Sequence, residues 1–226
     1  MLIRGVPAQL LGTNCFVVAP GPGEQCIVID PGIGVTGQLD EIIAEHRLHP
    51  VAVLLTHGHL DHTFSVLPVC QARDVPAYIH PADRFALADP WATLGQPAGS
   101  PIFGIAGLTF AEPSDVRPLA DGGWLELAGL RLAVRHTPGH TEGSVVFDLA
   151  PGERDHDPAV LFSGDVLFAG SIGRTDLPGG SMPAMLESLK TVILPMPDEV
   201  MVCPGHGPAT TIGQERATNP FLRELL

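Results

Sequence analysis

The segment THGHLDH, residues 56–62, places His57, His59, Asp61 and His62 within six consecutive positions, directly after the apolar run VAVLLT. Imidazole and carboxylate groups are the ligands that zinc-type divalent cations favour, and a catalytic metal site keeps a coordination position for water. His57 and His59 are two residues apart. In extended backbone such side chains point to the same side, so both can reach one ion. Four ligands from six neighbouring residues crowd a single ion, so the spacing suggests that the cluster serves two.

Three further residues extend the pattern. His140 lies in RHTPGHTEGS, Asp165 in VLFSGDVLF and His206 in VMVCPGHGP, each at the end of an apolar run and flanked by glycine. Glycine permits the tight turns that bring backbone and side chain close to a ligand. Loops at strand ends are where α/β proteins carry functional groups. One such histidine alone reads as a loop or core residue; three repeats of the context beside the local cluster read as a metal site.

The elements that must position these residues are short. TNCFVVA (13–19) and QCIVID (25–30) read as strands joined by the turn-rich PGPGE. TGQLDEIIAEHR (36–47) has Leu39, Ile42, Ile43 and His46 at helical spacing, with Thr36 as N-cap. VAVLLT (51–56) is a continuous apolar run, as expected for a strand covered on both faces. A helix from about Leu60 to Arg73, a strand over 76–80 and a short helix over 81–88 with Pro at its start should follow.

Residues 89–107 are rich in Gly, Pro and Ala without periodicity, long for a structureless connection and so a possible pocket wall. Beyond them the pattern predicts strands near 108–110, 116–119, 124–136, 144–149 and 159–164. A helix over 182–194, a strand over 200–203 and a C-terminal helix begun by TTIGQE complete the chain. The simplest architecture is one α/β domain over 1–226, with helices outside two mixed sheets.

Bulk properties exclude several classes. A chain of 226 residues with 45% hydrophobic residues can bury a sizeable core. The formal charge of −13 argues against a nucleic-acid partner, which needs a basic surface. No segment reads as a membrane span or a signal peptide, so a cytoplasmic protein with no membrane contact is expected. Cys15, Cys26, Cys70 and Cys203 form no CxxC pair and are expected to be reduced, semi-buried thiols.

THGHLDH, a His in TPGHT, an Asp in SGD and a His in PGHG, in that order, resemble the signature of the metallo-β-lactamase superfamily. The likeness runs over essentially the whole chain, including TNCFVV and VIDPG. The resemblance implies an αββα sandwich with a dinuclear site at one edge and two divalent ions, zinc first, iron or manganese also acceptable. Carried over residue by residue, it implies His57, His59 and His140 on one ion and Asp61, His62 and His206 on the other, with Asp165 bridging. It further implies a metal-bridging hydroxide as the nucleophile, with Asp61 orienting it and accepting its proton.

Within the superfamily, LFAGSIGRTDLPGGS (167–181) and the ending TTIGQERATNPFL are similar to the glyoxalase II, or hydroxyacylglutathione hydrolase, branch. That likeness implies a small-molecule 2-hydroxyacyl thioester as substrate, with the thiol carrier open. It also implies one domain without the helical C-terminal domain that full-length members add. His at 59 rather than Glu speaks against flavodiiron-type oxygen reductases, and Asp at 165 rather than Cys against several true β-lactamases. The runner-up resemblance is to persulfide dioxygenases, which share the order and the GRTD segment and would hold one iron on His57, His140 and Asp165. A lactonase is a more distant alternative, and a metal-binding scaffold without catalysis another.

Around the site, Asp30 in the IDPG turn either orients a ligand imidazole or caps the turn. Arg174 and Asp176 either pair with each other or reach substrate. His136 reads as packing at a strand end and His80 as a packing or pocket-lining residue. His46, His49 and His156 read as surface residues.

Overall fold

In the computed structural model, residues 1–151 and 159–226 are described, and His156 lies outside them. Strands β1 (Leu2–Pro7), β2 (Asn14–Ala19), β3 (Gln25–Ile29), β4 (His49–Leu54), β5 (Ala77–Ile79) and β6 (Val116–Pro118) form one six-stranded sheet in that order. Its first two pairings are antiparallel and the rest parallel. The second sheet contains β7 (Trp124–Leu127), β8 (Leu130–His136), β9 (Val145–Leu149), β10 (Val160–Gly164), β13 (Met201–Pro204) and β14 (Thr210–Thr211), ordered β14-β13-β10-β9-β8-β7. Only β10 and β13 run parallel in it. Between β10 and β13, β11 (Leu167–Phe168) and β12 (Ser171–Ile172) make a small hairpin.

Alternation along the strands builds the layers. Val18, Ile27, Ile29 and Leu54 from the first sheet meet Leu132, Val134, Phe147 and Phe162 from the second in the central core. The intervening residues Val17, Val28 and Val53 face outward. They pack under Leu39 of α1 (Thr36–His46) and Val66, Val69 and Cys70 of α3 (Val66–Arg73). On the other side Val146, Leu161 and Val202 are covered by Met185 of α5 (Met182–Ser188), Ile212 of α6 (Ile212–Thr218) and Leu222 of α7 (Pro220–Arg223). Strands buried on both faces read as continuous apolar runs, as VAVLL does. The expected αββα sandwich is the observed fold.

Several boundaries differ from the sequence expectation, each for a local reason. Thr36 is the first helical residue of α1 rather than its cap; Val35 holds the cap position without a side-chain bond. The helix expected over 60–73 divides into α2 (Leu60–Thr63) and α3. The Ser65 N–H is diverted to the Pro31 carbonyl at 2.9 Å and its hydroxyl donates to Gly32 O at 2.6 Å, so the helix restarts one residue later. The strand expected over 124–136 is a hairpin, turned at Ala128 (φ 54°) and Gly129 (φ 71°), the left-handed pair a two-residue turn requires.

Residues 108–110 form no strand; Leu108 and Phe110 instead pack on Leu60, Trp91 and Ile102. The helix expected over 81–88 is a tighter 3₁₀ turn, Pro81–Leu87, capped by His80 Nδ1. After Ser188 the helix of 182–194 widens to a π turn over Leu189–Ile193. The turn-rich 89–107 stretch contains the short helix α4 (Pro90–Thr93). All four cysteines are free and buried rather than semi-buried. Burial pushes the Cys26 and Cys70 thiols up to about 12 and Cys203 to about 11, so none is a ready nucleophile.

Candidate metal centre

The seven expected ligands converge at one edge of the sandwich, on loops that leave the C-terminal ends of β4, β8, β10 and β13. His57 and His59 occupy the segment from β4 to α2, with His59 extended (φ −64°, ψ 143°). Asp61 and His62 stand in α2 itself. Ligating atoms of His57, His59 and His140 lie within 4.8 Å of one another, and so do those of Asp61, His62 and His206. His57, His62 and Asp165 satisfy the same limit and join the two groups.

The Asp165 carboxylate sits between the two triads. Its Oδ1 is 3.3 Å from His62 Nε2, and its Oδ2 is 3.4 Å from His140 Nε2 and 3.6 Å from His206 Nε2. Asp61 Oδ2 is 3.1 Å from His206 Nε2 and 3.6 Å from His62 Nε2. Gly205 precedes His206 because nothing larger fits: a Cβ there would run into Asp165 Oδ1 and, at 2.7 Å, His62 Cε1.

Partners on the far side of each ring decide where the lone pairs point. His140 Nδ1 meets the Arg174 carbonyl at 2.7 Å, and His206 Nδ1 meets the Leu11 carbonyl at 3.1 Å. His62 Nδ1 meets Asp30 Oδ2 at 3.0 Å. A carbonyl or carboxylate oxygen accepts, so each of these Nδ1 atoms carries the proton. Thr56 donates its single hydroxyl proton to Asp30 Oδ2 at 2.6 Å, which leaves its oxygen to accept from His57 Nδ1 at 3.1 Å. With Nδ1 engaged in this way, Nε2 is the atom that His57, His62, His140 and His206 each have left to offer a metal ion.

His57 Nε2 and Asp165 Oδ1 are buried with no hydrogen-bond partner among the described residues. Buried polar atoms are normally satisfied. With the other imidazoles and Asp61 around them, these orphaned atoms belong to a donor set of five histidines and two aspartates that fits divalent cations.

The electrostatics agree. Burial, with His62 and His140 nearby, holds His57 well below the ordinary imidazole value, and burial beside His140 lowers His59 to about 3. At Asp61, burial by itself raises the carboxyl pKa. His62 and hydrogen bonds from His206 and Thr13 outweigh it, and the group stays ionised. His62 is opposed by burial yet raised well above its ordinary value by Asp165, Asp61 and Asp30. Those carboxylates demand positive charge at this point, supplied either by a proton or by a metal ion.

Of the two positions expected of Asp30, the carboxylate takes the one facing the imidazoles: its bonds go to Thr56 and His62, not to the turn in which it stands. It is buried in the turn after β3, accepts the Thr56 N–H at 2.8 Å, and orients His62 directly and His57 through Thr56. Arg174 makes a two-pronged exposed pair with Asp176, at 2.7 and 2.8 Å. Its backbone carbonyl rather than its guanidinium serves His140. His80 and His136 stack on each other at 4.2 Å and belong to neither triad.

Three supporting residues carried no sequence signal that singled them out. Thr13 donates to Asp61 Oδ2 at 2.8 Å, and Asn14 Nδ2 holds the Pro204 and Gly207 carbonyls around His206. Asp83, in the 3₁₀ turn, is buried and accepts the Gly58 N–H and the Thr141 hydroxyl on Oδ2 and the Gly143 N–H on Oδ1. It thereby ties the His57–His59 loop to the His140 loop. A carboxylate in PADRF looks like any acid in a helix's first turn, so only the fold reveals it.

A cavity of about 540 Å³ opens above the ligands, floored by His59, Asp61, His140, Asp165 and His206. Leu94, Gln96 and Pro101 to Phe103 form one wall, so the 89–107 segment does line the pocket. No described helix is long and apolar enough to cross a membrane.

The chain belongs to the metallo-β-lactamase superfamily, whose family model matches residues 8–206. Over 223 residues it is 34% identical to the hydroxyacylglutathione hydrolase GloC of Haemophilus influenzae, covering 98% of each chain. Among solved structures it resembles the BLEG-1 B3 metallo-β-lactamase, with a TM-score of 0.83, 37% identity and coverage of 98% of this chain and 99% of that one. It also resembles TTHA1623 in a di-iron-bound form, with a TM-score of 0.78, 39% identity and coverage of 97% and 100%.

Proposed function

We propose that this metallo-hydrolase cleaves a 2-hydroxyacyl thioester at a site holding two divalent ions. His57, His59 and His140 would hold one ion and Asp61, His62 and His206 the other, with Asp165 lying between the two groups. The observation that carries the reading is Asp165, with a carboxylate oxygen within 3.4 Å of a ligand nitrogen in each triad. The likeness to GloC supports the substrate class. Zinc is the expected metal, and iron is the alternative that TTHA1623 illustrates.

Bound there, two such ions supply a hydroxide near neutral pH and polarise a carbonyl. The chain's own residues do the rest. Asp30, the Arg174 carbonyl and the Leu11 carbonyl hold the imidazoles in the ligating tautomer, as partners behind metal-bound histidines generally do. Asp61 lines the cavity, ionised and fixed by Thr13, placed to accept a proton from an attacking water. A thiolate leaves readily, so no separate general acid is required. A small molecule is the partner this cavity suits.

The test is a panel on metal-loaded protein. It contains S-D-lactoylglutathione and neutral thioesters, a chromogenic β-lactam, a lactone, and a persulfide with O₂ uptake recorded. Thioester hydrolysis without O₂ uptake is the expected result. Turnover of the β-lactam or lactone with inert thioesters overturns the substrate class, and O₂ uptake on the persulfide overturns the hydrolase reading.

A further inference from the structure

From the mouth of the cavity we infer that the acyl part of the thioester carries a neutral, apolar chain of several carbons, and that its thiol carrier is not a charged peptide such as glutathione. This rests on the thioester reading. Two residues at the mouth, Leu11 and Phe103, are large, apolar and open to solvent, at 58% and 48% exposure, and both line the cavity.

Their backbones are unusual in the same way. Leu11 has φ 65° and is followed by Gly12 at φ 67°; Phe103 has φ 53° and is followed by Gly104 at φ 76°. Bulky residues rarely adopt the left-handed state, which glycine or asparagine would occupy with less strain. Each turn thus places a large side chain where a small or polar one is easier to hold. Strain of this kind marks a position with work to do.

Neither residue sits on loose chain. The Leu11 carbonyl is bound to His206 Nδ1, so its side chain is aimed from a metal-ligand contact. Phe103 stands at the tip of a two-residue turn closed by paired Ile102–Ile105 backbone bonds of 3.0 and 2.9 Å. That turn is anchored by Ile102 packing on Leu60 and Trp91, with Trp91 Nε1 donating to Ser100 O at 2.8 Å. Leu10 and Ile105, in the same two turns, are also exposed apolar residues, at 45% and 53%.

Charge points the same way. Among the described residues lining the cavity, Arg174 is the one arginine or lysine, and its guanidinium is already paired with Asp176. Glutathione brings two carboxylates, which need cationic or N–H donors to be bound specifically. Apart from Gln96, the wall and mouth are built from Leu11, Leu94, Pro101, Ile102, Phe103 and Leu177, an apolar surface that rewards an alkyl or aryl group by removing it from water.

The experiment uses the metal-loaded protein. Affinities for acetate, butyrate and hexanoate are measured by calorimetry, and kcat/KM is measured on the matching acyl thioesters of N-acetylcysteamine beside S-D-lactoylglutathione. Affinity is expected to improve by about threefold per added methylene, and the hexanoyl thioester to exceed S-D-lactoylglutathione by about tenfold or more. In Leu11→Asn and Phe103→Asn the chain-length gain shrinks, while both variants melt no lower than the parent because asparagine tolerates the turn. An affinity that is flat along the acid series, or preference for S-D-lactoylglutathione over every neutral thioester, overturns the inference. If no thioester turns over, the thioester reading fails separately, and the acid series still decides the apolar mouth.

Discussion

Asp30 Oδ2 lies 3.0 Å from His62 Nδ1, with both side chains buried, and the same oxygen takes the Thr56 hydroxyl proton at 2.6 Å. One carboxylate therefore sets the tautomer of a histidine in each metal group, His62 directly and His57 through Thr56. Asp30→Ala should weaken metal binding by about 10–100-fold, the range seen when partners behind metal-bound histidines are removed. Competition with a chromophoric chelator measures it. Unchanged affinity in a folded variant would reduce Asp30 to a turn residue.

Asp83 braces the loops from behind. Its removal strands the Gly58 and Gly143 N–H groups in a buried setting and leaves the Thr141 hydroxyl with Ser144 alone. Asp83→Ala should cost about 3 kcal/mol, a fall in Tm of about 6–12 °C for a chain of this size. Asp83→Asn keeps the shape but turns an amide NH₂ toward those donors, so it should lose metal affinity as well as stability. A variant that melts lower yet binds metal normally would confine Asp83 to a structural role.

Asp165 and Arg174 separate the two parts of the site. Asp165→Ala should lower kcat/KM by about 100-fold or more, because it removes the link between the metal groups. Arg174→Ala breaks only an exposed ion pair, and the carbonyl that holds His140 remains, so a loss of about fivefold or less is expected. Steady-state kinetics on one thioester compares them. Equal losses would contradict the assignment of Asp165 as the bridge.

Acid should loosen the metals. Burial opposes a charged His62, yet Asp165, Asp61 and Asp30 raise its pKa well above the ordinary value. His206 is also opposed by burial and raised by its hydrogen bond to Asp61 and by Asp165. A raised group holds its proton more firmly, and an arriving ion must displace that proton. Affinity should therefore climb with pH by about tenfold per unit for each proton displaced, through and beyond the usual histidine range. Chelator competition across that range is the measurement, and a flat profile would contradict it.

The candidate ligands were legible as a cluster because their signal is local. Each is a histidine or aspartate in a glycine-flanked loop after an apolar run, and side-chain type with spacing survives in one dimension. The layers were legible for a similar reason, since strands such as VAVLL announce burial on both faces. Asp83 and Thr13 were not, because their importance comes from groups 25 to 60 residues away that only the fold brings near. The break at Ser65 was hidden likewise, being caused by the Pro31 carbonyl on another element. The turns at Leu11 and Phe103 run against local preference, which favours glycine or asparagine there, so neither residue stands out in the sequence.

The central claim is that two ions act as one unit across Asp165. Its most direct test adds metal stepwise to chelator-stripped protein while thioester hydrolysis is followed. The account predicts that activity rises to a break at about two equivalents per chain. A break at one equivalent of iron, with O₂ consumed on a persulfide and no thioester cleaved, would contradict it.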